Sequence, residues 1–474
     1  MEIAIVVVFI LGYLAITLEH SLKIDKLVPA LLMMAAAWAL VAIGIDGFDT
    51  WFDSHNSKLM DIGSKDHEGR MHLLEGTLLH HFGKTCEILI FLVGAMTIVE
   101  IIDHFNGFST IKKFIKTNKK RVLLWIMCIL AFILSAIIDN LTATIVLVTI
   151  LRKLLPENKD RIWFASLIII AANAGGAWSP IGDVTTTMLW IGKRVTTVKL
   201  IEFLILPSLV CMIVPTFLAS LLPAFKGNFD AAEDTGKENK RGPLMLYLGL
   251  ILIVSVPVFK TVTHLPPYVG MMLSLGIVAL VAEFISARQF SITDQSAAAD
   301  PDSGHAHSPT FKALSKIEMP SILFFLGILM TVAALESLGM IFVFGQNVQA
   351  TMSQDLFVLL LGAGSAVIDN VPLVAASMGM FNPNDFMEDN SVWHFIAYSA
   401  GTGGSMLIIG SAAGVVAMGM EKISFFWYLK KIAWLALLGF VAGGLVFIAM
   451  KSTGMMDLPD LPVTDNTIQI EQTH

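Results

Sequence analysis

SAIIDN occupies positions 135–140 and SAVIDN positions 365–370, and both hexapeptides lie inside long apolar runs. Each places an aspartate where hydrocarbon is the expected surrounding. An ionised carboxylate at the centre of a bilayer costs about 2.5–3.5 kcal/mol on insertion scales. A chain that bears this cost twice, with nearly the same residues, points to a duplicated unit that uses the charge.

The rest of the chain has the composition of an integral membrane protein. Of its 474 residues, 55% are hydrophobic and 15% charged, and the mean hydropathy is +0.74. A soluble domain carries about 25% charge. Apolar runs of about 20 residues recur, the length that crosses a bilayer as a helix. Acidic residues outnumber basic ones, 38 to 31, which argues against a nucleic-acid partner. Cys86, Cys128 and Cys211 show no ligand spacing and read as small apolar residues. MEIAIVVVFILGYLAITLEHSL, the first segment, lacks a basic start and a small-residue cleavage site. It reads as a first span rather than a removed signal peptide.

Spans are expected near 3–22, 27–46, 87–106, 161–192, 198–224, 243–262, 267–288, 319–342, 391–421 and 432–450. Two further apolar stretches, 121–155 and 352–380, hold the hexapeptides, and each is too short to cross twice as full-length helices. Lys112, Lys113, Lys116, Lys119, Lys120 and Arg121 precede the first stretch; Arg152, Lys153, Lys159 and Arg161 follow it. Basic residues beside spans mark the cytoplasmic side. Both ends of 121–155 are therefore expected inside, as a re-entrant hairpin requires. The flanks of 352–380, GQNVQATMSQD and FNPNDFMEDN, hold no Lys or Arg and are expected outside. One hairpin then enters from each side, with an Asp-Asn pair near each tip. The same map puts the short loop with Lys23 and Lys26 inside, together with linkers 225–242 and 289–318. The Asp- and His-rich loop 47–85 and both termini fall outside, and so, against the rule, do Lys193, Arg194 and Lys199.

The two halves match in order. GGAWSPIGD from Gly175 and GGSMLIIGS from Gly403 share their glycine spacing, and FLVGAMT (91–97) resembles FLGILMT (325–331). The expected fold is an all-α polytopic membrane protein of two inverted repeats, 1–224 and 243–450. A cytoplasmic linker, 225–242, joins them, and a polar tail, 451–474, follows. Each repeat has five spans and one hairpin. Five is odd, so the second repeat enters with opposite topology, the signature of secondary transporters.

Two spans carry helix breakers: NAGGAWSPIGDVTTTML (173–189) and AGTGGSMLIIGSAAG (400–414). Glycine and proline there do not sustain a straight helix. Unwound backbone at membrane depth is tolerated where protein or a watery cavity satisfies it, and its carbonyls suit small ions. Kinks that let helices pack closely are the plainer reading. Asp139, Asp183 and Asp369 fall at such depth, with Glu100 and Glu336 on the spans before each hairpin and Asp103 near a span end. No Lys or Arg lies deep enough to pair them all. Either the carboxyls are protonated and hydrogen-bonded, or a cation is the missing partner. Sodium prefers oxygen ligands. Ser135, Asn140, Thr142 and Thr144 supply them at the first tip, and Ser179, Thr185, Thr186 and Thr187 at the first break. Ser365, Asn370, Thr402, Ser405 and Ser411 recur in the second half.

With SAIIDNLTAT, NAGGAWSPIGDVTTT, GAGSAVIDNVP and GTGGSMLIIGSAAGV in hand, the chain resembles the NhaD-type sodium/proton antiporters of the ion transporter superfamily, over nearly its whole length. In the related sodium-coupled dicarboxylate carriers the tips resemble Ser-Asn-Thr, without the acid. Here they read Asp139-Asn140-Leu141-Thr142 and Asp369-Asn370-Val371-Pro372, which suits a bare cation. The resemblance implies exchange of Na+, and of Li+, for H+ in the cytoplasmic membrane of a bacterium. It also implies a homodimer whose hairpins and broken helices move as an elevator. Na+ is expected at Asp139, Asp183 and Asp369, with the same carboxyls as proton carriers and no cofactor. Glu100 and Glu336 are secondary proton sites or braces for the hairpins. His55, His67, His72, His80 and His81 crowd the external loop as pH sensors or as plain solvated side chains, and His305 and His307 sit in a flexible linker. The competing reading is a sodium-coupled organic-anion symporter. A channel lacks a filter pattern, and an enzyme lacks a nucleophile–base set.

Overall fold

The computed structural model describes residues 1–53, 58–112, 115–229, 241–293, 308–381 and 385–456. His55, His305 and His307 lie outside the described residues. Helices α1 (Glu2–Thr17), α2 (Glu19–Leu22) and α3 (Leu27–Ile43) come first. An antiparallel ribbon of β1 (Thr50–Asp53) and β2 (Lys58–Asp61) follows, then the long α4 (His67–His104) and α5 (Ser109–Lys112). Helices α6 (Lys120–Ile138) and α7 (Asn140–Leu154) meet at Asp139. An irregular stretch parts α8 (Asn158–Gly176) from α9 (Val184–Ile191), and α10 (Thr197–Leu221) ends the first half. The second half runs α11 (Gly242–Thr263), α12 (Pro267–Thr293), α13 (Pro309–Leu314), α14 (Met319–Ser337) and α15 (Met340–Thr351). Helices α16 (Gln354–Gly364) and α17 (Asn370–Met380) flank the second hexapeptide. Then come α18 (Ser391–Gly403), α19 (Ala412–Glu421), α20 (Phe425–Lys431) and α21 (Ala433–Ser452).

Helix dominates because hydrocarbon offers backbone groups no water, so each N–H and C=O must be paired within its own segment. Among the described residues, seven helices are long and apolar enough to cross a membrane: α4, α6, α10, α11, α12, α14 and α21. Several expected spans differ in detail. Those near 3–22 and 27–46 form helices of 16 and 17 residues. The span near 319–342 divides at Gly339, whose φ of 71° is left-handed, and α15 follows as a separate helix. The expected outer loop 47–85 is structured: α4 starts at His67, where the Asp66 carboxylate accepts the Gly69 N–H at 3.0 Å. Arg70 ties that start to the turn before it, donating to the carbonyls of Ile45, Phe48, Gly63 and Lys65.

The helices pack in two sets, each drawn from both halves of the sequence. One set holds α1, α3, α4, α11, α12 and α14; the other holds α6 to α10 and α16 to α19 with α21. Glycines let the second set pack closely. A Cβ on Gly443 of α21 would lie 2.1 Å from the Tyr398 hydroxyl and 2.4 Å from the Pro207 carbonyl oxygen.

Candidate functional site

The aspartate of each hexapeptide caps the helix that follows it; Asp139 also ends α6, whereas α16 ends at Gly364 and a turn leads from it to Asp369. Asp139 sits at φ 82°, outside the range of a continuing helix, and its Oδ1 accepts the Thr142 N–H at 2.8 Å. Asp369 takes the same place before α17, its Oδ1 accepting the Val371 N–H at 3.3 Å. Aspartate is a preferred N-cap, and its charge complements the positive helix start. The adjacent Asn140 and Asn370 are buried at the first positions of α7 and α17.

Both asparagines reach one carboxylate. Asn140 Nδ2 donates to Asp183 Oδ1 at 3.1 Å, and Asn370 Nδ2 donates to Asp183 Oδ2 at 3.1 Å. Asp183 is 4% exposed and lies at the end of the irregular stretch between α8 and α9. Thr185 Oγ1 also donates to its Oδ2. Thr186 Oγ1 donates to the Asp183 carbonyl at 2.9 Å, and Thr187 Oγ1 donates to the Pro180 carbonyl at 2.9 Å, which satisfies a backbone group in the break.

Behind Asp183 lies Asn173, fully buried on α8. It accepts from Asn140 Nδ2 at 3.1 Å and donates to Ser405 Oγ at 2.9 Å and Ser411 Oγ at 3.0 Å. One side chain thus links the first tip to the second helix break. Asn173 is not among the residues the sequence singles out; its signal there is an amide beside a glycine pair in an apolar helix.

Several contacts recur at corresponding positions of the two halves. Ser135 Oγ donates to the Ala172 carbonyl at 2.6 Å, and Ser365 Oγ to the Ala400 carbonyl at 2.9 Å. A Cβ on Gly175 would lie 2.2 Å from the Phe132 carbonyl oxygen, and one on Gly403 would lie 2.0 Å from that of Gly362. Gly182 and Gly410 pair in the same way with the carbonyls of Ser135 and Ala366, at 2.8 and 2.6 Å. Asp183 is matched by Ser411, so the central carboxylate has one copy only.

A narrow cavity reaches Asp139, Asn140, Asp183, Asp369 and Asn370. Asp183 is close enough to repel both other aspartates. Among the described residues no three acidic, imidazole or thiol groups are grouped to hold one metal ion by themselves. Asp183 is the carboxylate that both hairpin-tip asparagines reach, and Asp139 and Asp369 line the same cavity. Thr142 Oγ1 donates to Asp139 Oδ2 at 2.9 Å, and Thr144 Oγ1 to the Asn140 carbonyl at 2.8 Å. Ser179 serves a local turn, accepting the Ile181 N–H at 3.4 Å, and Thr402 bonds within its own helix.

Lys26 pairs one of the deep acids, and the expectation that no basic residue pairs them all is untouched by it. Its Nζ lies 3.2 Å from Asp369 Oδ2. Neither glutamate joins the cavity. Glu100 feels Asp103 and Lys316 near the end of α4, whereas Glu336 interacts with Lys84 and Arg194 and stands beside Gly379 of α17.

Comparison with known proteins agrees with this architecture. A family model described as a citrate transporter, CitMHS, matches residues 7–388. Sodium/proton antiporter 1 of Arabidopsis thaliana is 40% identical over 95% of this chain and 73% of its own length. The Na(+)/H(+) antiporter NhaD of Vibrio parahaemolyticus is 33% identical over 75% of this chain and 88% of its own. The NhaD of Vibrio cholerae is 30% identical over 90% of this chain and 87% of its own. Among solved structures, the Alcanivorax borkumensis YdaH transporter superposes with a TM-score of 0.59 over 91% of this chain and all of its own, at 12% identity. That likeness concerns the fold.

Proposed function

Because the chain belongs to the CitMHS transporter family, and to the NhaD-type sodium/proton antiporters within it, we propose that it exchanges Na+ or Li+ for H+ at Asp183 and the two hairpin tips. The observation that carries this reading is the pair of amides on opposite oxygens of Asp183. Each asparagine turns its nitrogen to the carboxylate and leaves an oxygen for a cation. Asp183 then binds a metal cation or a proton, not both. An equilibrium that either ligand shifts, but not the two together, couples their fluxes. Asp139 and Asp369 flank this centre and carry the remaining charge exchange.

The hairpins, α8–α9 and α18–α19 form the moving part in this account, and α1, α3, α4, α11, α12 and α14 form the frame. The matched serine and glycine contacts support two inverted repeats, 1–224 and 243–450, with re-entrant hairpins. Lys26 and Glu318, at the starts of α3 and α14, stand beside the cavity. The charge map puts those ends inside, so the cavity is taken to face the cytoplasm. A homodimer sharing the frame is the assembly we infer. Relatives occur in plants as well as bacteria, and the bacterial cytoplasmic membrane is proposed from the bacterial ones.

The family's description favours a second reading, sodium-coupled uptake of a carboxylate. Three aspartates around the cavity weigh against an anionic cargo. Everted vesicles from cells without their own antiporters separate the two. Antiport predicts alkalinisation of an acid lumen on adding Na+ or Li+, lost in Asp183→Asn. Labelled citrate entering only with Na+, without that alkalinisation, sinks the antiport reading.

A further inference from the structure

The two tips are not equivalent, and the difference lies in one proline. In the first tip, Asp139 Oδ1 caps the helix through Thr142 N–H and Oδ2 accepts the Thr142 hydroxyl, at 2.8 and 2.9 Å. The matching residue of the second tip is Pro372, which has neither an N–H nor a hydroxyl. Asp369 therefore caps through Val371, and its Oδ2 takes Lys26 at 3.2 Å instead. Lys26 belongs to the start of α3, in the frame, not to the hairpin it touches. Its ammonium also lies 4.4 Å from the Phe324 ring centroid, and Glu19 and Glu318 add attraction. The pair is mostly shielded, with side-chain exposures of 26% and 19%.

We propose that Lys26 is a tethered cation that occupies Asp369 Oδ2 in the ion-free protein and is displaced when Na+ loads the second tip, so that loading cuts a link between the frame and the moving hairpin. The proposal rests on the sodium-exchange reading above. A covalently held ammonium competes with a free cation for the same oxygen, and losing the pair frees the tip to move. Lys26 acts here as a positioning residue. It weakens Na+ binding and in return ties movement to occupancy.

The test is Na+ binding to the purified full chain in detergent at fixed alkaline pH, followed with radioactive sodium. Lys26→Met is expected to tighten Na+ about tenfold, or about 1.4 kcal/mol, and, with the link gone, to let the tip move without a bound ion, seen as Na+ leak without proton exchange in proteoliposomes. Unchanged or weaker binding in a monodisperse Lys26→Met protein overturns the inference and leaves the exchange reading intact. Absence of saturable Na+ binding in the wild type defeats the exchange reading itself. A second measurement needs no variant. Acetic anhydride labelling of Lys26 in the wild type, read by mass spectrometry, should rise about threefold when Na+ replaces tetramethylammonium at equal ionic strength. Equal labelling in the two salts overturns the inference, even where Lys26→Met fails to fold.

Discussion

Asn370 donates to the carboxylate of Asp183 at 3.1 Å across 187 residues of sequence. Asn140, from the other half, holds the opposite oxygen. One carboxylate held by asparagines from both halves of the chain is the focus of the predictions below.

Asp183→Asn keeps the side chain's shape and removes its charge. Loss of a charge partner at the site should lower Na+-driven proton movement by more than about tenfold, the factor set by 1.4 kcal/mol. Fluorescence of a pH dye in everted vesicles reads it directly. Asp183→Glu should retain part of the activity.

Asn173→Ala removes the link between the first tip and Ser405 and Ser411. A buried hydrogen-bond network loses about 1–3 kcal/mol when one partner leaves the others unsatisfied. The apparent KM for Na+ should rise more than the maximal rate falls, because Asn173 positions Asn140 and touches the cavity residues only from behind.

Gly175→Ala and Gly403→Ala should cost the same. Each new Cβ would meet a carbonyl oxygen, at 2.2 and 2.0 Å, and overpacking of this kind costs about 1–3 kcal/mol. Gly83→Ala and Gly419→Ala meet nothing within 4 Å and should leave the melting temperature of the detergent-solubilised protein unchanged or raised. A large penalty at only one of the paired glycines would contradict the matched geometry of the halves.

Glu421 is buried at the end of α19, between Arg152 at 2.6 Å and Arg161 at 2.8 Å. Asn158 donates to it as well. Breaking a buried pair costs about 3–5 kcal/mol, so Glu421→Ala should destabilise strongly. Arg152→Ala should cost less than Arg161→Ala, because the Arg152 side chain is 44% exposed against 16%.

Asp389 lies in the turn before α18 and gives a pH dependence with a definite sign. Burial pushes its carboxyl up. His394 at 3.3 Å and the Thr196 N–H and hydroxyl, both at 2.7 Å, outweigh that and hold it below its ordinary value of 3.8. A depressed carboxyl adds stability above its unfolded value and loses it as pH falls through the folded one. The wild type should therefore melt above Asp389→Asn at neutral pH, and the gap should close only below the usual range for aspartate. Thermal melts of both proteins across that range check it.

Much of this arrangement is legible in the residues. Apolar runs and the repeated Asp-Asn pair mark the helices and the interruptions, because hydrocarbon allows few alternatives to helix and few uses for buried charge. The glycine pairs at 175 and 403 mark where helices approach backbone to backbone. What stays hidden depends on distance through space. Lys26 reads as a marker of the cytoplasmic side because it stands at a helix start, and only folding brings Asp369 to it. Glu100 and Glu336 share the spans that precede the tips, yet helix rotation and length carry both away from the cavity. The helix over 67–85 is hidden by its histidines and acids, which read as an outer loop although Arg70, His81 and Thr85 are buried in the fold.

The most direct test of the central claim is proton release on sodium binding. Purified protein in weakly buffered detergent solution is mixed with NaCl at alkaline pH, and a pH dye is followed, with wild type beside Asp183→Asn. Release that saturates with Na+ in the wild type and is absent in the variant is the predicted result. Saturable Na+ binding with no proton released, or release that survives in Asp183→Asn, would contradict competition at this carboxylate.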